Sequence, residues 1–251
     1  MIPKGISVTS RWVSRLPPFA RRALQVDQME FDSALSQMYS LCIKPTLVCK
    51  MSKARKMTKN HYYRDDPAFL VIQLLFILLT TCAYGATFAE SLSQVIGCFL
   101  YEIFVVYYLC GVLFASLIWI TVNRFLVDPS QISEASRETE WQYSFDVHCN
   151  GYFIYFIWTK VVQFLLLPVL YSDRFFISQI LSNSLYLLGA ALYFYIVFLG
   201  YLEFPMLIQQ QRLMYPVLVL ILLIVIITLF SHTNLAMWSI DFYWLPAGKG
   251  N

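Results

Sequence analysis

Residues 68–88 read AFLVIQLLFILLTTCAYGATF, a run of mostly apolar residues without a charged side chain. A helix of about 20 residues crosses the hydrocarbon core of a bilayer, so this run is long enough to span one. None of the apolar runs alternates as barrel strands do, and lipid tolerates only helices or closed barrels. We therefore predict an all-α polytopic membrane protein with five transmembrane helices over residues 67–230. The four runs that follow the first lie at about 95–122, 151–171, 177–201 and 213–230.

Positive charge is concentrated on one side of these runs. Twelve of the 18 Lys and Arg residues precede the first run. Three more, Arg124, Arg137 and Arg212, lie in connections that return to the same side, and only two fall on the opposite side. Basic residues collect on the cytosolic side of membrane proteins. We therefore predict a cytosolic N-terminus and a lumenal C-terminal tail at 231–251.

Residues 28–66 are predicted to form a cytosolic layer that follows a flexible basic tail at 1–27. Apolar side chains recur there at steps of three and four, which marks one face of an amphipathic helix. Such a helix lies in the cytosolic leaflet or docks a partner protein, or it packs on the ends of the protein's own spans. The residues of this face are Phe31, Leu35, Met38, Tyr39 and Cys42, of which the first three are our candidate partner contacts.

The run from Lys44 to Arg64 holds seven Lys or Arg residues and no acid. Juxtamembrane clusters of this kind attract anionic lipid by about 1 kcal/mol per basic residue. Mixed with aromatic residues, they also suit RNA phosphates and bases. The alternative is that the run serves only as a topology signal. The candidate contacts to lipid or RNA are Lys50, Lys53, Arg55, Lys56 and Lys59.

The connection at 123–150 is the one sizeable cytosolic loop that the sequence predicts. It ends in aromatic residues typical of a membrane interface and in polar residues that could form an acid–base pair or a metal site. We favour interfacial hydrogen bonding and helix capping, because the chain has three His and no second ligand cluster. We predict no catalytic residue, metal or cofactor, and the candidate partner contacts in this loop are Trp141, Tyr143, Asp146 and His148.

Two ionisable side chains fall within the predicted spans, where such groups are functional candidates. Counting back from the cytosolic end of its span places Glu102 at the lumenal interface. Lys160 lies nine residues beyond Gly151, about 14 Å deep at 1.5 Å per residue. This difference in depth argues against an ion pair between them. Lys160 is then held by neighbouring polar groups or water, or it lines a polar cavity or ligand path.

Three stretches of the chain resemble the uncoordinated-fifty family of Golgi membrane proteins. They are residues 62–71 (YYRDDPAFLV), 140–150 (EWQYSFDVHCN) and 198–201 (FLGY). The resemblance implies a non-enzymatic, multi-pass Golgi protein that helps membrane cargo move through the secretory pathway. The partners that it implies are an Arf guanine-nucleotide exchange factor on the cytosolic side and nicotinic acetylcholine receptors as cargo. RNA binding and an inner-nuclear-membrane location are attributed to vertebrate members.

Two other function classes compete with this interpretation. A small transporter or channel would use Lys160 and Glu102, but we detect neither an inverted repeat nor a pair of broken helices. A membrane-embedded enzyme would need a nucleophile motif or paired intramembrane acids, which we do not find in the sequence. A scaffold without enzymatic activity is therefore the interpretation that we favour.

The charge asymmetry predicts the outcome of a protease-protection experiment on intact microsomes. A tag at the N-terminus should be digested and a tag at the C-terminus should be protected, because five spans place the two ends on opposite sides. Digestion of both tags would show that the five-span topology is wrong.

Overall fold

The computed structural model describes residues 29–128, 139–171 and 175–244, so the predicted tail at 1–27 lies outside the described residues. Those described form helices joined by short connections. The helices before residue 129 are α1 (Phe31–Ile43), α2 (Pro45–Lys59), α3 (Ala68–Phe88) and α4 (Leu92–Phe125). After it come α5 (Trp141–Phe156, continued by Ile157–Val162 and Gln163–Leu165), α6 (Leu167–Leu170), α7 (Phe175–Leu202), α8 (Gln210–Ser231) and α9 (Leu235–Trp244).

Four helices of the described chain are long and apolar enough to cross a membrane: α3, α4, α7 and α8. Helix α3 begins and ends where the first apolar run does. Helix α5 corresponds to the third predicted span and is long enough to cross, yet it is not among these four. Hydropathy therefore supports a helical membrane protein and leaves the predicted count of five unconfirmed.

Helix α5 is polar because protein surrounds it. It packs mainly on α7 and α4, and much of its length is buried, including Tyr143, Ser144, His148 and Tyr152. At the other extreme, only 6% of the apolar window of α8 is buried, and its mean hydropathy of 3.0 exceeds that of the other three spans. Side chains that face protein are free to be polar, whereas those that face lipid are not.

The start of α5 corrects the predicted loop at 123–150. Residues 141–150 are the first turns of the helix, not part of a loop. Lys160 is therefore nineteen residues beyond the helix start at Trp141, about 28 Å along the axis at 1.5 Å per residue. The count of 14 Å started at Gly151, which lies ten residues beyond the start of the helix.

Helices α1 and α2 form a hairpin on one side of the bundle. Helix α1 packs on α3 and α5, and α2 packs on α7. The connections that follow α4 and α7 lie on the same side, where Ile208 N–H donates to the Leu126 carbonyl at 2.8 Å and Asp128 N–H donates to the Met206 carbonyl at 2.9 Å. We call this the hairpin side.

The inward face of α1 differs from the predicted one. Met38 is buried, and it shares the inward face with Ala34, Gln37 and Leu41. Phe31 is half-buried, and Leu35, Tyr39 and Cys42 are exposed. The inward face includes a glutamine because that side chain has a buried partner, as described below. Periodicity found the helix and did not identify which face packs.

Helix α9 covers the side opposite the hairpin, within the predicted tail at 231–251. Its last turn is fixed to α4, since Gln94 Nε2 donates to the Trp244 carbonyl at 2.7 Å and Cys98 Sγ donates to the Tyr243 carbonyl at 3.1 Å. Trp244 and Ile240 pack with Tyr84 of α3 in a small buried cluster.

The close approach of α5 and α7 predicts a specific effect of adding one methyl group. A Cβ on Gly151 would lie 2.7 Å from Tyr193 Cδ2 and 3.2 Å from the Tyr193 carbonyl oxygen. We expect Gly151→Ala to destabilise the protein by about 1–3 kcal/mol through overpacking. Gly97→Ala, whose Cβ would meet nothing within 4 Å, should be neutral or mildly stabilising. Thermal unfolding of both variants in nanodiscs tests this, and equal losses would contradict the packing argument.

Candidate functional site

Arg64 connects three helices at the hairpin side. Its Nε lies 3.4 Å from Asp146 Oδ1 of α5, and its Nη2 donates to the Asp146 carbonyl at 3.1 Å. Nη1 donates to Gln37 Oε1 of α1 at 3.4 Å, and the guanidinium lies 4.0 Å from the ring centroid of Phe69 in α3. We call these four residues the Arg64 junction. Because the Arg64 side chain is only 9% exposed, its charge depends on Asp146 for compensation.

Two of the predicted partner contacts on α5 lie in the interior, against α7. Tyr143 O–H donates to the Gly200 carbonyl and lies 3.4 Å from Ser52 Oγ of α2. His148 Nδ1 lies 2.9 Å from Tyr193 Oη. Burial leaves Tyr143 only 2% and His148 only 3% exposed. Both side chains therefore hold the bundle together from inside and are not part of an exposed surface.

The other two predicted contacts on α5 are half-buried. Trp141 donates its indole N–H to Ser116 Oγ of α4 at 3.0 Å, and its ring stacks on Phe145. Asp146 belongs to the Arg64 junction. Across the described residues, no group of three His, Cys, Asp or Glu side chains could hold a metal ion. Trp141 and Asp146 thus join the start of α5 to α4 and to the connection before α3.

The predicted basic cluster divides into structural and exposed members. Arg55 Nε donates to the Tyr62 carbonyl at 3.1 Å, and burial lowers the pKa of its guanidinium. Lys56 lies 5.3 Å from the centroid of the Tyr62 ring. These two residues hold the connection between α2 and α3 in place. Cys49 of α2 is also partly buried. Its burial and the nearby negative charge of Glu203 raise the pKa of the thiol to about 11 and keep it protonated.

The remaining three lysines of the cluster have exposed side chains. Lys53 pairs with Glu203 at 3.1 Å and Lys59 with Asp65 at 2.7 Å, while both lysine side chains stay more than half exposed. Lys50 is exposed as well. Exposed pairs of this kind are weak, so these ammonium groups remain available to an anionic surface.

An apolar surface lies on the outside of the hairpin. Leu35 is 49% exposed, Tyr39 68%, Ile43 55% and Leu47 44%. We call these four residues the hairpin apolar surface. Leu35, Tyr39 and Ile43 recur at steps of four and so share one face of α1, and large apolar side chains grouped at a surface mark an interaction site. Of the three predicted contacts on α1, Leu35 belongs to this surface, Phe31 lies at the edge of the core and Met38 lies within it.

The two intramembrane charges form an ion pair, contrary to the prediction. Lys160 Nζ lies 3.2 Å from Glu102 Oε2, and the two side chains are 21% and 6% exposed. Tyr152 O–H donates to Glu102 Oε1 at 3.1 Å, and Lys160 Nζ lies 4.1 Å from the ring centroid of Tyr243. The depth argument failed because it counted from Gly151. Helix α5 begins at Trp141, and Lys160 lies near its opposite end, where it contacts Glu102.

The backbone around this pair is unusual on both helices. Glu102 begins the π-helical segment Glu102–Leu109 of α4, and Lys160 lies within the π-helical segment Ile157–Val162 of α5. Two cavities flank the pair: one of about 30 Å³, with room for about one water molecule, and one of about 410 Å³. The tyrosines around the pair were missed by sequence reasoning, although 17 Tyr in a membrane protein of this size were a signal of polar contacts within the bundle.

Comparison with known proteins gives one consistent result. A sequence model of the UNC-50 family matches residues 19–244. The chain is 36% identical to a protein unc-50 homolog from Dictyostelium discoideum, over 95% of this chain and 91% of that protein. It is 35% identical to the protein unc-50 of Caenorhabditis elegans, over 92% of this chain and 74% of that protein. A human protein unc-50 homolog is 32% identical, over 82% and 78%. No solved structure matches the chain.

The ion pair predicts a non-additive mutant cycle. Glu102→Leu should destabilise the protein by about 3–5 kcal/mol, because it leaves the ammonium of Lys160 without a counter-charge. The double variant Glu102→Leu, Lys160→Met should recover most of this loss. The matched control is Lys53→Met, which removes an exposed pair and should cost about 1 kcal/mol or less. Thermal unfolding in nanodiscs measures all three, and a double variant no better than the single one would refute the coupling.

Proposed function

Since this chain belongs to the UNC-50 family of membrane proteins, we propose that it is a non-enzymatic Golgi scaffold that supports the transport of membrane cargo. The observation that carries this proposal is that the α1–α2 hairpin exposes both large apolar side chains and lysines. Such a surface suits a protein that works at the membrane surface by contact rather than by chemistry.

The proposed topology has five spans, with the hairpin side in the cytosol. Helix α5 would be the third span along the chain and bring the count to five, since residues 141–165 are continuous helix and about 20 residues suffice to cross. Its low hydropathy is explained by its burial between α4 and α7. The charge asymmetry then places the hairpin in the cytosol.

The proposed partner of the hairpin apolar surface is a cytosolic Arf guanine-nucleotide exchange factor, with membrane receptors such as nicotinic receptors as cargo. Lys50, Lys53 and Lys59 would contact anionic headgroups or acidic side chains of the partner. We do not extend the proposal to RNA, because the nearby aromatic rings are already occupied. His61 stacks on Tyr63 at 4.2 Å and Tyr62 stacks on Phe204 at 4.1 Å.

The geometry of the intramembrane charges weakens the transporter alternative. Glu102 and Lys160 neutralise each other, and their side chains are only 6% and 21% exposed. We therefore assign this pair to the stability of the bundle.

The test removes the hairpin apolar surface without disturbing the bundle. Leu35→Ser with Tyr39→Ser should leave abundance and Golgi location unchanged, because both side chains are exposed. Co-purification of the exchange factor should fall at least tenfold, since well-buried interface anchors contribute about 2 kcal/mol or more each. Met57→Ser is the matched control, because Met57 is 82% exposed and lies outside this surface. Normal co-purification with the double variant would reject the docking proposal.

A further inference from the structure

A large apolar cleft opens between α4 and α8 toward the lipid. Its volume is about 770 Å³, within the range of about 300–1,000 Å³ typical of ligand sites. Its walls include Val106, Phe114, Val219 and Leu220, and its floor is formed by α5 and α7. We call it the α4–α8 cleft. It is separate from the hairpin apolar surface, and it shares Val106, Tyr152 and Tyr155 with the cavity of about 410 Å³ beside the Glu102–Lys160 pair.

The position of the cleft limits what can fill it. Its two walls belong to the two most apolar spans, with mean hydropathies of 2.4 for α4 and 3.0 for α8. Few side chains of α8 are covered by the rest of the chain. A cleft with such walls lies within the hydrocarbon region, where lipid acyl chains are the abundant apolar molecules.

A single cation lines the cleft at its hairpin-side end. Arg212 is exposed and lies in the first turn of α8. Within the described part of the chain, its guanidinium takes part in neither an ion pair nor a hydrogen bond. A guanidinium binds phosphate oxygens through two parallel hydrogen bonds, and a helix start also favours a negative charge.

We propose that the α4–α8 cleft binds one diacyl phospholipid with an anionic headgroup. An acyl chain lies along the apolar walls, and Arg212 pairs with the net negative charge that an anionic headgroup carries and a zwitterionic headgroup, which also holds a phosphate, lacks. This combination of an apolar cleft and one cation at its interfacial end matches the amphipathic shape of a phospholipid. It also supplies Arg212 with the counter-charge that the described residues do not provide.

The experiment uses the full chain in nanodiscs of phosphatidylcholine and phosphatidylserine. Trace amounts of a diazirine-labelled phosphatidylserine or phosphatidylcholine are photo-crosslinked, and the labelled peptides are mapped by mass spectrometry. Labelling of the cleft walls at 106–114 and 215–220 should favour phosphatidylserine by about fivefold, as expected for one basic residue at a membrane surface. The exposed face of α3 at Leu75 and Leu79 reports bulk lipid and should show no preference.

Two pairs of variants separate the charge from the cleft. Arg212→Gln should abolish the preference for phosphatidylserine, whereas Arg124→Gln, an exposed arginine outside the cleft, should keep it. Ala190→Phe fills the floor and should reduce labelling by both lipids, whereas Ala86→Phe at an exposed position of α3 should not. Thermal unfolding checks that each variant is folded. If Ala190→Phe does not fold, Arg212→Gln still tests the proposal.

Three results would overturn the proposal. The first is a wild-type cleft with no more preference for phosphatidylserine than the α3 face shows. The second is unchanged preference in Arg212→Gln. The third is a cross-link from the cleft to another copy of the chain or to a partner's helix, which would show that protein, not lipid, occupies it.

Discussion

The Arg64–Asp146 contact holds the hairpin to the membrane helices. Arg64 precedes α3, Asp146 lies in the second turn of α5, and Gln37 of α1 completes the junction. A guanidinium this deeply buried is costly unless its charge and its donors are satisfied. The junction therefore fixes how α1, α3 and α5 meet, and with them the position of the hairpin apolar surface. At the adjoining start of α3, Asp66 accepts from Ala68 N–H at 3.0 Å and Glu30 N–H at 2.6 Å.

The central place of α5 explains why the polar groups of the bundle lie where they do. A helix wrapped by α4 and α7 has protein on most sides, so its side chains find hydrogen-bond partners rather than lipid. Ser144 lies 2.6 Å from Tyr201 Oη, and Tyr152 donates to Glu102. Helix α8 has the opposite environment and is almost wholly aliphatic. One physical rule, that lipid-facing groups cannot be polar, accounts for both compositions.

The three stretches that resemble the family come together in the fold. Arg64 of the first contacts Asp146 of the second, and Tyr143 and Ser144 of the second contact Gly200 and Tyr201 of the third. The motifs thus encode one internal junction of helices. The surface that we propose for docking lies beside it, on residues that these motifs do not include.

The sequence by itself determined the helical membrane class and the bounds of α3, because transfer of apolar residues to lipid depends on each segment's own composition. Tertiary structure decided the rest. It set the start of α5 at Trp141, paired Lys160 with Glu102, and turned Gln37 rather than Leu35 inward. The outcome in each case depends on a partner far away in the chain, and the free energy of a buried charge or amide is set by that partner rather than by its sequence neighbours.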